Sequence, residues 1–95
     1  MSEHDQLQRE INRGAEADAL MKNPLVKEAL DTLEKEIVLA WENTPMRDHE
    51  AREKAWMFYV TVRKFRNIFF SFVETGKLAS FQLNEKKTFN IFGGR

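Results

Sequence analysis

Two proline junctions, Asn23-Pro24 and Thr44-Pro45, cut a sequence that otherwise carries helical periodicity as far as Thr75. Proline lacks the backbone N–H that an interior helical position donates, and its ring pushes the preceding residue out of the helical region. One continuous helix is therefore excluded, and three segments are predicted at about residues 5–22, 24–42 and 45–75. Asn23 reads as an N-cap, its side-chain oxygen accepting from an orphan backbone N–H, with Pro24 at the first helical position. The third segment is capped by the Asn43-Thr44-Pro45 turn or by Asp48. Asp48, Glu50 and Glu53 stand where negative charge favours a helix N-terminus.

Each segment has an apolar side. In the first, Leu7, Ile11, Ala15 and Ala19 recur every fourth residue as a narrow stripe of mostly small side chains. Gly14 weakens that helix by roughly 1 kcal/mol relative to alanine. In the second, Val26, Ala29, Leu30, Leu33, Ile37, Ala40 and Trp41 form the predicted buried face, and Ile37 to Trp41 is apolar all round, which implies contact on more than one side. In the third, Ala55, Phe58, Tyr59, Val62, Phe65, Phe69, Phe72 and Val73 make one stripe. Trp56, Met57, Val60, Ile68 and Phe70 fall beside or outside it. A surplus of this kind implies an oligomer or a docking surface, with Trp56 and Phe70 as candidates for the oligomer surface.

Gly76 suits the left-handed position that terminates a helix, with Leu78 placed to close the motif. Beyond it Phe81 and Leu83, then Phe89 and Ile91, alternate around Asn84-Glu85-Lys86-Lys87, and the chain runs out through Phe92-Gly93-Gly94-Arg95. That alternation predicts a strand or weak hairpin. An isolated hairpin is marginal in water, so the tail either packs back on the helices or engages another protein. Phe81, Leu83, Phe89, Ile91 and Phe92 are the candidate partner-binding residues. The predicted organisation is all-α: a helical hairpin or three-helix bundle with a long third helix over residues 1–79, then an extended or hairpin-like aromatic arm over residues 80–95.

Composition narrows the function classes. Ninety-five residues, 42% of them hydrophobic, are enough for one small folded domain. Without cysteine there are no disulfides and no Cys-ligated metals. The polar, acidic start Met1-Ser2-Glu3-His4-Asp5-Gln6 does not resemble a signal peptide, and no apolar run suggests a membrane span, so a soluble cytoplasmic protein is expected. Net charge is zero but divided: residues 1–45 carry 5 Lys/Arg against 10 Asp/Glu, and residues 46–95 the reverse. Helices of opposite charge packing side by side, or dimerising through complementary rims, account for this; the sharper reading is a basic patch for nucleic acid.

Nothing in the sequence carries catalysis. His49 and Glu53 share a helical face, but two ligands fall short of a metal site, and the His49-Glu50-Ala51-Arg52-Glu53 run has glutamate where a metalloprotease motif needs its second histidine. There is no glycine-rich phosphate loop, and no catalytic residue, cofactor or metal is assigned. Arg63, Lys64 and Arg66 give the third helix a basic side and are the candidate nucleic-acid contacts, though neighbouring aromatics at helical spacing are more simply core. Non-enzymatic association is therefore the primary expectation, and a small nucleic-acid-binding regulator or packaging accessory is the alternative.

The combination Arg13-Gly14-Ala15 with Ala17, Asn23-Pro24-Leu25, Glu28-Ala29, Leu33-Glu34, Trp41, Arg52-Glu53-Lys54-Ala55-Trp56 and Gly76-Lys77-Leu78-Ala79 resembles small helical proteins encoded by tailed phages and prophages near portal and capsid genes. The resemblance covers residues 13–79 and rests on caps and core positions rather than on chemistry. It implies a part in virion assembly or genome packaging, or an accessory role in the infected cell. A homo-oligomer that engages a larger phage or host protein in the host cytoplasm or the virion, away from membranes, is the corresponding expectation.

Overall fold

A computed structural model describes the backbone of residues 2–92 and the side chains of residues 2–87. It is all-α, with α1 at Glu3–Lys22, α2 at Pro24–Glu42 and α3 at His49–Phe92, and no strand among the described residues. Ser2 starts α1 by accepting from the Asp5 N–H at 3.2 Å. Asn23, in extended conformation with φ −65° and ψ 123°, accepts from the N–H groups of Leu25 and Val26 at 2.9 and 3.2 Å. With Pro24 needing no partner, the first turn of α2 is satisfied as the sequence predicts. The Thr44 hydroxyl donates to the Ala40 carbonyl at 2.7 Å where α2 ends, and Asp48 caps α3 by accepting from the Ala51 N–H at 3.1 Å.

The C-terminal end corrects two expectations. α3 does not stop near Thr75, and the extended or hairpin-like arm over residues 80–95 is absent as far as the backbone is described: α3 continues to Phe92. Gly76 is an interior helical residue, buried against α1. A Cβ there would lie 3.0 Å from both the Glu10 carbonyl oxygen and the Gly14 Cα, and a Cβ at Gly14 would lie 2.8 Å from the Phe72 carbonyl oxygen. Both glycines are used for the close approach of two helix backbones, a need that competes with the C-cap role for the same residue type.

The chain divides into two compact units, residues 1–20 with 69–95, and residues 21–68. In the first, α1 runs antiparallel to the C-terminal part of α3: Glu3 pairs with Lys86, Leu7 packs with Ala79 and Leu83, and Gly14 meets Gly76. Leu7, Gly14 and Ala17 are the buried side of α1, with Ile11 partly buried, whereas Ala15 and Ala19 are exposed. A strict four-residue step drifts about 40° per repeat on a 3.6-residue helix, so the predicted stripe leaves the contact after Ile11. The Arg13 guanidinium lies 4.2 Å from the centroid of the Phe72 ring, which meets Phe69 edge to face at 6.1 Å.

In the second unit, α2 and the N-terminal part of α3 form an antiparallel hairpin around the turn at residues 43–48. Only Ala55 and Val62 of its apolar side chains are buried. No residue of α2 is buried, which corrects the predicted face: Val26, Leu30 and Ile37 are half-buried, while Ala29, Leu33, Ala40 and Trp41 are exposed. On α3, Phe58 and Phe65 also fall outside the buried side. Periodicity identified the apolar sides; one neighbouring helix covers only a strip of each.

Candidate interaction surface

The notable feature of residues 21–68 is how much apolar side chain reaches the surface. Leu33, Val38, Leu39 and Trp41 on α2, and Trp56, Met57, Phe58 and Val60 on α3, are all exposed. Trp56 retains 59% of its surface and Phe58 62%. Solitary exposed apolar residues are ordinary, but this many large ones on a two-helix hairpin exceed what scattered exposure accounts for.

An apolar groove between α2 and α3 is lined by Ile37, Val38, Trp41, Ala55, Trp56 and Tyr59. Two devices fix its walls. Trp56 stacks on Tyr59 with ring centroids 5.9 Å apart and planes 28° from parallel. Arg52 lies 4.5 Å from the Trp41 ring centroid while its Nη1 donates to the Thr44 carbonyl at 3.1 Å, so one side chain ties the tryptophan to the turn. Rigid aromatic walls lose little entropy when a partner docks, and tryptophan and tyrosine are enriched among residues that dominate binding energy.

Farther along the hairpin, Arg66 donates to Asp31 Oδ1 at 3.0 Å and Glu34 Oε2 at 3.2 Å. Arg63 donates to the Tyr59 hydroxyl at 3.0 Å, a bond that raises the arginine pKa further above its ordinary value. Lys64 is exposed. Of the three candidate nucleic-acid contacts, Arg66 is thus committed to two carboxylates of α2 and Arg63 to a tyrosine. His49 and Glu53 lie exposed in the first turns of α3, and no group of three or more His, Cys, Asp or Glu among the described residues could hold a metal ion.

The candidate arm residues separate. Phe81 is 62% exposed, but Leu83 is 8% exposed and packed in the core with Leu7 and Ala79, so it is already covered within the chain. The side chains of Phe89, Ile91 and Phe92 lie outside the described residues. Phe70, in the first unit, is exposed like Trp56. Sequence reasoning missed the groove because it treated Ile37 and Trp41 as core. The signal was available in the apolar run from Ile37 to Trp41, which no single neighbour can cover.

No family model matches this chain, and neither a curated protein nor a solved structure does. No helix among the described residues is long and apolar enough to cross a membrane.

Proposed function

We propose that the protein is a non-enzymatic assembly protein that self-associates through the hairpin of α2 and α3. The observation that carries this reading is that α2 buries no residue while Leu33, Val38, Leu39, Trp41, Trp56 and Phe58 are exposed on the same hairpin. Amphipathic helices gain most of their stability from packing, so a hairpin this open requires a further apolar layer. The resemblance of residues 13–79 to small tailed-phage proteins supports virion assembly in the infected cell as the setting. Docking of a larger phage or host protein then falls to the exposed Phe81 side of α3 and to the residues after it, rather than to Leu83.

Light scattering over a concentration series tests the reading: a stable oligomer is expected, and a chain that remains monomeric throughout eliminates it. The nucleic-acid alternative draws less support, since Arg66 and Arg63 already have partners within the hairpin.

A further inference from the structure

We infer that the partner seated on the hairpin of residues 21–68 is the same hairpin of a second copy, with α2 of each copy lying against α3 of the other. This rests on the self-association proposed above and adds both the composition of the interface and its pairing rule.

Three observations lead to it. The first is the amount of surface. Within residues 21–68 alone, Leu39, Trp41, Trp56, Met57, Phe58 and Val60 each keep at least 41% of their surface, more large apolar side chain than a two-helix hairpin leaves bare on its own account. The second is the thinness of the hairpin's own core: Ala55 and Val62 are its only buried apolar side chains. A second copy would supply the missing layer wherever this chain is made, without another protein being made alongside it.

The third observation sets the pairing. Setting aside Arg66, Asp31 and Glu34, which pair with one another inside the hairpin, α2 carries 2 Lys/Arg against 3 Asp/Glu over residues 24–42, and α3 carries 4 against 2 over residues 49–68. Laying α2 on the partner's α2 would bring acid to acid, and α3 on α3 would bring base to base. Crossing them brings each acidic helix to a basic one on both sides of a two-fold axis, which closes the assembly at two copies. The groove between Trp41 and Trp56 then lies inside a four-helix core with a charged rim.

The test uses two full-length variants that leave the Arg66 ion pairs intact. One makes α3 acidic, Arg63→Glu with Lys64→Glu; the other makes α2 basic, Glu36→Lys with Glu42→Lys. Sedimentation equilibrium is run on the wild type, on each variant and on their equimolar mixture, with circular dichroism to establish helicity. The wild type is expected to be a dimer, each variant alone to dimerise at least roughly tenfold more weakly, and the mixture to recover wild-type affinity as a heterodimer. That recovery also demonstrates that both variants fold. If α2 instead faced α2, reversing one helix would leave like charge against like charge as before, and each variant would dimerise as the wild type does. That result overturns the crossed pairing and leaves self-association standing, as would variants that stay helical and monomeric even when mixed. A wild-type chain that is monomeric at every accessible concentration overturns both.

Discussion

Gly14 and Gly76 meet backbone to backbone: a Cβ built on either would lie 3.0 Å from the other's Cα. At Gly14 the nearest obstacle is the Phe72 carbonyl oxygen at 2.8 Å, an atom held in the α3 ladder that cannot turn aside. Gly14→Ala gains about 1 kcal/mol of helix propensity but must push two helices apart, at about 1–3 kcal/mol. A net loss of about 1 kcal/mol is expected, seen as a lower urea midpoint at fixed protein concentration, and Gly14→Val should lose considerably more. Gly14→Ala that melts at or above the wild-type temperature would show that separating the helices costs no more than the helix propensity gained.

The last turns of α3 belong to the fold, and paired substitutions establish it. Leu83→Ala removes a side chain packed on Leu7 and Ala79 and should cost about 2–3 kcal/mol. Phe81→Ala, two residues away and exposed, should stay within about 0.5 kcal/mol. A chain ending at Ala79 also loses the Glu3 to Lys86 ion pair, and its melting temperature should fall clearly below that of the full chain. Equal stabilities for the two point variants would mean that Leu83 is not covered.

How much of this was legible from sequence depended on how local the cause was. Asn23-Pro24 and Asp48 were readable as caps because the groups they satisfy lie two or three residues away. Gly76 was not, because whether glycine ends a helix or admits another depends on a residue 62 positions earlier in the chain, Gly14. Phe81 and Leu83, two positions apart, would share one face of a strand, whereas on a helix they point to nearly opposite sides, one out and one in. The apolar excess around Trp56 was visible as positions left over from the main stripe. The run from Ile37 to Trp41 signalled a second contact but not the groove's lining, which depends on which strip of α2 the α3 helix leaves bare.

The Arg66 cluster gives a graded prediction. Side-chain exposure is 29% for Glu34 and 61% for Asp31, so the Glu34 partner is the better shielded from water and salt. In double-mutant cycles with Arg66→Ala, coupling to Glu34 should be about 1 kcal/mol and coupling to Asp31 below about 0.5 kcal/mol. Raising salt should erode the Asp31 term first. The reverse order would mean that shielding does not govern these bonds.

Removing the α2 cap isolates a local effect. Asn23→Ala leaves two N–H groups to water and should cost about 1 kcal/mol, while Asn23→Asp should retain most of the stability because its carboxylate accepts the same bonds. Thermal melts of the two variants at one concentration decide it; an alanine variant indistinguishable from wild type would show that Pro24 alone starts the helix.

That α2 buries no residue of its own has a calorimetric consequence. The heat capacity of unfolding follows the apolar surface newly wetted, and a chain of 95 residues ordinarily yields about 1.1–1.4 kcal/mol/K. A solitary copy has already wetted much of that surface while still folded, so its calorimetric trace would be flat for its length. The heat capacity missing from the lone chain is a measure of the surface that association would dry.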